Sequence, residues 1–286
     1  MKKSLAHLPK HKRDELKLIV EQIRQLAEAE EIVLFGSYAR GDWVEDRYTE
    51  NNVTYEYASD FDILVIVESS EMANSTDIWR KIDKKIRRFP IKTWTNVIVE
   101  TVDSVNAGIA KGNYFFTDIG KEGILLYDSR KFKLARPKKL NPKERKGQAK
   151  FNFKEWFTSA KEFVIDFNNA FKRRSYKQAA FLLHQAVERF YTTILLVFTN
   201  YKPKTHDLEK FSHMAAGCDP AFLNIFPQAA EEQKKCFDLL KRAYVEARYN
   251  PAYKITKLQL EYLSTRVRKL QRLTKKICTG KIESFV

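Results

Sequence analysis

Apolar and polar residues alternate along the first half of this chain with two different periods. Between Lys12 and Ala29, the residues Leu16, Ile19, Val20, Ile23 and Leu26 stand three and four apart, which predicts an amphipathic helix. Glu31 to Phe35 is then a short apolar run that reads as a buried strand, and Gly36-Ser37 breaks it into a turn opening a helix. Two aromatic segments between Gly41 and Ser59, separated by Asn51-Asn52, predict a β-hairpin with a polar tip. A second apolar run, Ile63 to Val67, predicts another strand. Ile78, Ile82 and Ile86 mark a helix from about Ser75 to Arg88, stopped by Pro90. Trp94 to Thr101 reads as a strand, followed by a short helix from about Asp103 and a strand around Ile124–Tyr127.

Beyond residue 128 the pattern changes. Residues 128–147 are rich in Pro and basic side chains and lack a clear period, so they read as a linker. After them only helical spacing remains. Phe153, Trp156, Phe157, Ala160, Phe163, Val164 and Phe167 form one stripe within Phe151–Phe171. Tyr176–Thr199 is apolar around nearly its whole circumference and should be the central helix. Thr205 is placed to cap the next helix, with Asp207 and Glu209 in its first turn. Further helices are expected over Gln228–Tyr249, ended by Asn250-Pro251, and over about Lys254–Lys276. The expected organisation is a domain over 1–127, a basic linker over 128–147 and an up-down helical bundle over 148–286.

Charge divides the chain in the same place. Residues 1–129 carry 18 Lys and Arg against 22 Asp and Glu, net −4; residues 130–286 carry 34 against 14, net +20. The basic half suits a polyanion, nucleic acid first, or forms the solvated faces of helices. Cys218, Cys236 and Cys278 are odd in number and widely spaced, suggesting neither a disulfide framework nor a zinc site. No apolar run is long enough for a membrane span, and the N-terminus lacks a signal-peptide core. A reduced, cytoplasmic setting is expected.

The candidate chemistry sits in the acidic half. A strand–Gly–Ser–helix junction offers backbone N–H groups and a hydroxyl to phosphate. Asp60 and Asp62 stand two apart at the head of a strand, so both carboxylates share one face and repel unless a cation lies between them. Mg²⁺ carried by nucleotide phosphates is the natural occupant. The stretch Gly36-Ser37-Tyr38-Ala39-Arg40-Gly41, followed by Ser59-Asp60-Phe61-Asp62, resembles the minimal nucleotidyltransferases of the polymerase-β-like superfamily over roughly residues 11–127. The resemblance implies an α+β protein with a mixed-sheet catalytic domain. It further implies that Gly36 and Ser37 contact nucleotide, that Asp60 and Asp62 ligate Mg²⁺ or Mn²⁺, and that ATP is the substrate; Arg40 either helps to orient the nucleotide or pairs locally with an acid. It also implies a third carboxylate on the Trp94–Thr101 strand. In that register this chain has Asn96, with Glu100 four residues further on the same face, and either could complete the site.

The helical half, with Lys177-Gln-Ala-Ala-Phe-Leu-Leu-His-Gln-Ala-Val-Glu-Arg-Phe-Tyr191 and Lys204-Thr-His-Asp-Leu-Glu-Lys210, resembles the HEPN domain over about residues 148–278. Many such domains are ribonucleases with Arg, four to six residues, then His. No histidine here stands at that distance after an arginine, and the nearest match, Arg242 to Tyr249, has Ala247 in the histidine position. Alanine cannot move protons, so a binding or positioning domain without ribonuclease activity is expected. Arg242, Arg248 and Tyr249 could form an anion-binding surface, Tyr249 could accept a nucleotide, or all three could serve helix packing. His184 reads as a hydrogen-bonded core histidine and His206 as a helix-start residue. The combined expectation is transfer of an NMP, AMP from Mg-ATP first, onto a hydroxyl of a protein or small-molecule acceptor. The layout is distantly similar to kanamycin nucleotidyltransferases, although a +20 bundle is poorly suited to cationic drugs. RNA is a further candidate partner, and the HEPN resemblance implies a homodimer through the helical domain. The alternative is a non-catalytic nucleotide- or RNA-binding module of a toxin–antitoxin or defence system.

Overall fold

A computed structural model describes residues 1–43, 45–50, 53–136, 140–203 and 205–286, with 45–50 and 53–58 described as backbone. The chain forms two compact units, Met1–Lys139 and Leu140–Val286.

The first unit is α+β. Its elements are α1 (Lys10–Leu26), β1 (Ala29–Phe35), α2 (Gly36–Arg40), β2 (Glu45–Glu50), β3 (Val53–Ala58), β4 (Phe61–Val67), α3 (Ser70–Asn74), α4 (Thr76–Ile86), β5 (Thr95–Thr101), α5 (Val102–Ala110), α6 (Tyr114–Glu122) and β6 (Ile124–Asp128). Four strands form a mixed sheet in the order β5-β4-β1-β6, with β1 antiparallel to both its neighbours and β4 parallel to β5. The two central strands are buried on both faces, so they read as continuous apolar runs rather than alternating ones. Phe61, Ile63, Val65 and Val67 of β4 pack with Leu16, Ile19 and Ile23 of α1 and with Ile82 and Ile86 of α4. The opposite face is turned to α5 and α6. The expected hairpin is β2 paired antiparallel with β3, and its tip, Asn51-Asn52, lies outside the described residues.

The second unit is helical: α7 (Pro142–Lys172), α8 (Tyr176–Thr199), α9 (Leu208–Cys218), a 3-10 turn over Pro220–Ile225, α10 (Glu231–Tyr249) and α11 (Lys257–Glu283). α8 is the centre of the bundle, in contact with α7, α9, α10 and α11. Its residues Leu183, Val187, Phe190, Tyr191 and Ile194 are fully buried. Several helix boundaries differ from the sequence expectation: α10 begins at Glu231 rather than Gln228, and α11 runs on to Glu283 rather than to about Lys276. α7 begins at Pro142, inside the expected linker, because Asn141 accepts from the Glu144 N–H while Glu144 accepts from the Asn141 N–H. That capping box, with Pro at the first helical position, is a complete helix start that basic composition had concealed. The cap of α9 is Asp207 rather than Thr205, its carboxylate accepting from the N–H groups of Glu209 and Lys210. No helix of the described residues is long and apolar enough to cross a membrane.

Candidate functional site

Strand pairing in the first unit brings three of the singled-out residues together at one end of the sheet. β1 ends at Phe35, which lies opposite Asp62 in the antiparallel register, and the chain then turns at Gly36 with φ +73°. A β-carbon on Gly36 would lie 2.3 Å from Asp62 Oδ2. The turn is therefore pressed directly onto the carboxylate, and both the positive φ and the close approach require glycine. On the other side of β4, the parallel register sets Asn96 beside Asp62, and Asn96 Nδ2 donates to Asp62 Oδ1 at 3.0 Å. The buried amide presents its nitrogen because its oxygen there would face a carboxylate. Asp60 stands one residue before β4, two residues from Asp62, and is half-buried. Ser37 stands at the entry to α2, its carbonyl accepting from the N–H groups of Gly41 and Asp42. Its hydroxyl has no protein hydrogen bond among the described residues.

Two candidates stand elsewhere. Glu100 lies opposite Ile66, four residues beyond Asn96, which is roughly 13 Å along the strand. It is buried and accepts from Ser104 Oγ at 2.7 Å near the start of α5. The strand register thus seats Asn96, and not Glu100, beside Asp62. Arg40 is turned to Asp42, with Nε 3.0 Å from the carboxylate, so its charge is answered locally. Among the described residues no three His, Cys, Asp or Glu side chains are grouped to hold a metal ion.

In the helical unit the two candidate arginines separate. Arg242 lies between two carboxylates, Asp238 at 2.9 Å and Glu246 at 3.2 Å, and is neutralised on its own helix. Arg248 has no carboxylate partner among the described residues. Its guanidinium carbon sits 4.6 Å from the ring centroid of Tyr244, 4.8 Å from Phe181 and 4.9 Å from Tyr249, while Nε donates to the Tyr244 carbonyl at 2.7 Å. Three rings hold the group in place without consuming its charge. Residues 153–277 match the HEPN domain. This segment is a HEPN domain. No curated protein matches the chain.

The HEPN domain also contains a constellation that residue-by-residue reading had missed. Glu188, buried on α8, accepts from His206 Nδ1 at 2.9 Å, and His206 stacks on Tyr244 with centroids 4.0 Å apart. His184 behaves as expected for a core histidine: fully buried, with Nδ1 donating to the Leu240 carbonyl at 3.0 Å. Its Nε2 lies 3.7 Å from Glu188, too far for a hydrogen bond, so its influence there is electrostatic. Burial alone pushes the Glu188 carboxyl up, but the two imidazoles beside it outweigh that, and the group lies below its ordinary value. His206 is thus more than a helix-start residue: it ties the segment before α9 to α8 and α10. The signal was a glutamate in the middle of a nearly apolar helix, since a buried carboxylate must be paired.

Proposed function

We propose that this protein transfers a nucleoside monophosphate, AMP from Mg-ATP first, onto a hydroxyl of a protein or small-molecule acceptor, with the HEPN domain positioning that acceptor. The observation that carries this reading is the contact of Gly36 with Asp62, which sets the Gly36-Ser37 turn directly against a carboxylate. Ser37 Oγ and the backbone N–H groups of the turn would bind phosphate oxygens. Asp60 and Asp62 supply hard oxygen donors, and Mg²⁺ commonly takes only one or two protein carboxylates together with substrate phosphates and water, so the donor set fits. Bound there, the ion would neutralise charge on the departing pyrophosphate and lower the pKa of the acceptor hydroxyl. Asn96 holds the Asp62 side chain in one orientation through its amide hydrogen bond.

The test is incubation with labelled ATP and Mg²⁺, repeated with Asp60→Ala and Asp62→Ala combined. Label should pass to the acceptor in the native protein and not in the double variant; transfer that persists in the variant overturns the assignment.

One observation favours a second reading, a non-catalytic nucleotide- or RNA-binding module of a toxin–antitoxin or defence system. Asn96 occupies the place of a third carboxylate and brings no charge. On that reading RNA would be retained with a steep dependence on salt and no label would be transferred.

A further inference from the structure

Several exposed arginines of this chain are answered on their own helix or at its end. Arg80 lies 2.7 Å from Asp77, Arg87 lies 2.9 Å from Asp83, and Arg242 stands between Asp238 and Glu246. The second half of α11 departs from that habit. Between Glu261 and Glu283 it holds seven Lys and Arg and no Asp or Glu. Arg266 is turned to the carbonyls of Asn224 and Ile225, and Lys281 lies over the rings of Phe198 and Phe285. The other five, Arg268, Lys269, Arg272, Lys275 and Lys276, are exposed and have no ion-pair or hydrogen-bond partner among the described residues.

Helical geometry places these five within an arc of about 120° centred on Arg272. Leu263, Val267, Leu270 and Thr274, on the other side of the helix, are buried in the bundle. Arg268, Arg272 and Lys276 follow one another at four-residue steps, a row roughly 12 Å long on a rigid support. Like charges three and four apart repel, so a face with no task beyond solvation gains by alternating sign, as α10 does. The helix dipole does not account for the row, because its influence is confined to the last turn and Lys276 stands about two turns before Glu283. A linear array of unanswered cations suits a polymer of regularly spaced anions. No large apolar side chain is exposed on α11 between Arg268 and Lys276, so the face lacks the apolar centre of a protein interface. The apolar side of α11 is packed into the bundle, which leaves none to enter a bilayer. A nucleic-acid backbone needs neither, since Lys and Arg alone meet its phosphates.

We propose that the 268–276 face of α11 docks the sugar–phosphate backbone of a nucleic acid without reading its sequence. The inference goes beyond nucleotidyl transfer and does not depend on it. RNA and DNA share this chemistry, and binding measurements separate these sources.

The experiment titrates the full chain, over a range of salt concentrations, with a fluorescent single-stranded RNA, the DNA of the same sequence, and polyglutamate. One variant combines Arg268→Gln, Arg272→Gln and Lys276→Gln. A second, with Arg268→Lys and Arg272→Lys, keeps the charge. A third combines Arg80→Gln, Arg87→Gln and Lys121→Gln, removing the same charge from cations already paired in the first unit. Circular dichroism and the thermal midpoint confirm that each variant is folded. The native chain should bind at least one oligonucleotide, with an affinity that falls steeply as salt rises. The first variant should bind it more weakly at low salt, by on the order of tenfold or more, and its log–log salt slope should be shallower by about 2, because three phosphate contacts to a single strand are lost. The second and third variants should bind as the native chain does. RNA and DNA bound alike show that phosphates alone are read, and a preference for one names the polymer; both outcomes support the proposal. An equal loss in the first and third variants means that only net charge matters, and an equal loss in the first and second means that charge is not the cause; either overturns it. Polyglutamate bound as tightly as the oligonucleotides makes the face a dock for an acidic protein and also overturns it. If the native chain binds neither RNA nor DNA, the proposal falls, while nucleotidyl transfer, measured with labelled ATP, is untouched.

Discussion

Replacing Gly36 by alanine tests the geometry on which the catalytic reading depends. The new methyl carbon would meet Asp62 Oδ2 at 2.3 Å, with Asp62 Cγ and Cβ at 3.2 and 3.3 Å, so the carboxylate must move. Moving it breaks the Asn96–Asp62 hydrogen bond, an interaction with a charged acceptor that contributes roughly 1.5–3 kcal/mol. Holding a β-carbon at φ +73° costs a further 1–2 kcal/mol or so. Together they predict a destabilisation of about 2.5–5 kcal/mol for the first unit. Urea unfolding, followed by the fluorescence of Trp43, Trp79 and Trp94, would measure it. A double-mutant cycle isolates the cause: in an Asn96→Ala background Asp62 can swing aside without losing that bond. There Gly36→Ala should cost only the backbone contribution, and the coupling between the two positions should approach the strength of the hydrogen bond. Additive effects, or a Gly36→Ala variant within about 1 kcal/mol of native, would refute the claim that the turn and the carboxylate are pressed together.

Asn96→Asp should set a second carboxylate directly beside Asp62. Without a divalent ion the repulsion should lower the thermal midpoint, and Mg²⁺ should raise it by more than in the native protein; a midpoint indifferent to Mg²⁺ in both proteins would count against a cation at this place. Glu188→Gln should change the acid limb of stability in the HEPN domain. The Glu188 carboxyl lies below its ordinary value of 4.5, so its contribution is fully present above that pH and is lost as the pH falls through the depressed folded value. The variant should therefore be less stable at neutral pH and lose less on acidification below about 4.5; an unchanged acid limb in pH-dependent unfolding would show that the His206–Glu188 pair contributes nothing.

The local patterns were legible because their causes are local. The apolar runs before Gly36 and after Asp62 announced buried strands. The apolar circumference of Tyr176–Thr199 marked the helix that others surround. The Asn141-Pro142-Lys143-Glu144 start of α7 was equally available, but the basic composition around it outweighed the capping signature. What depended on pairing between distant segments was not legible. Residue spacing left Asn96 and Glu100 as alternatives, because register between parallel strands is set by the packing of both faces and not by either strand alone. Arg242 and Arg248 look equivalent in a row of letters; only the folded helix shows that two carboxylates claim the first and three rings hold the second. The amino-acid order by itself determined which elements form and which faces they bury, since each is dictated by neighbours a few residues away. The tertiary structure alone decided that Asn96 lies against Asp62 and that His206 reaches Glu188, because those contacts join segments whose meeting depends on how the whole core packs.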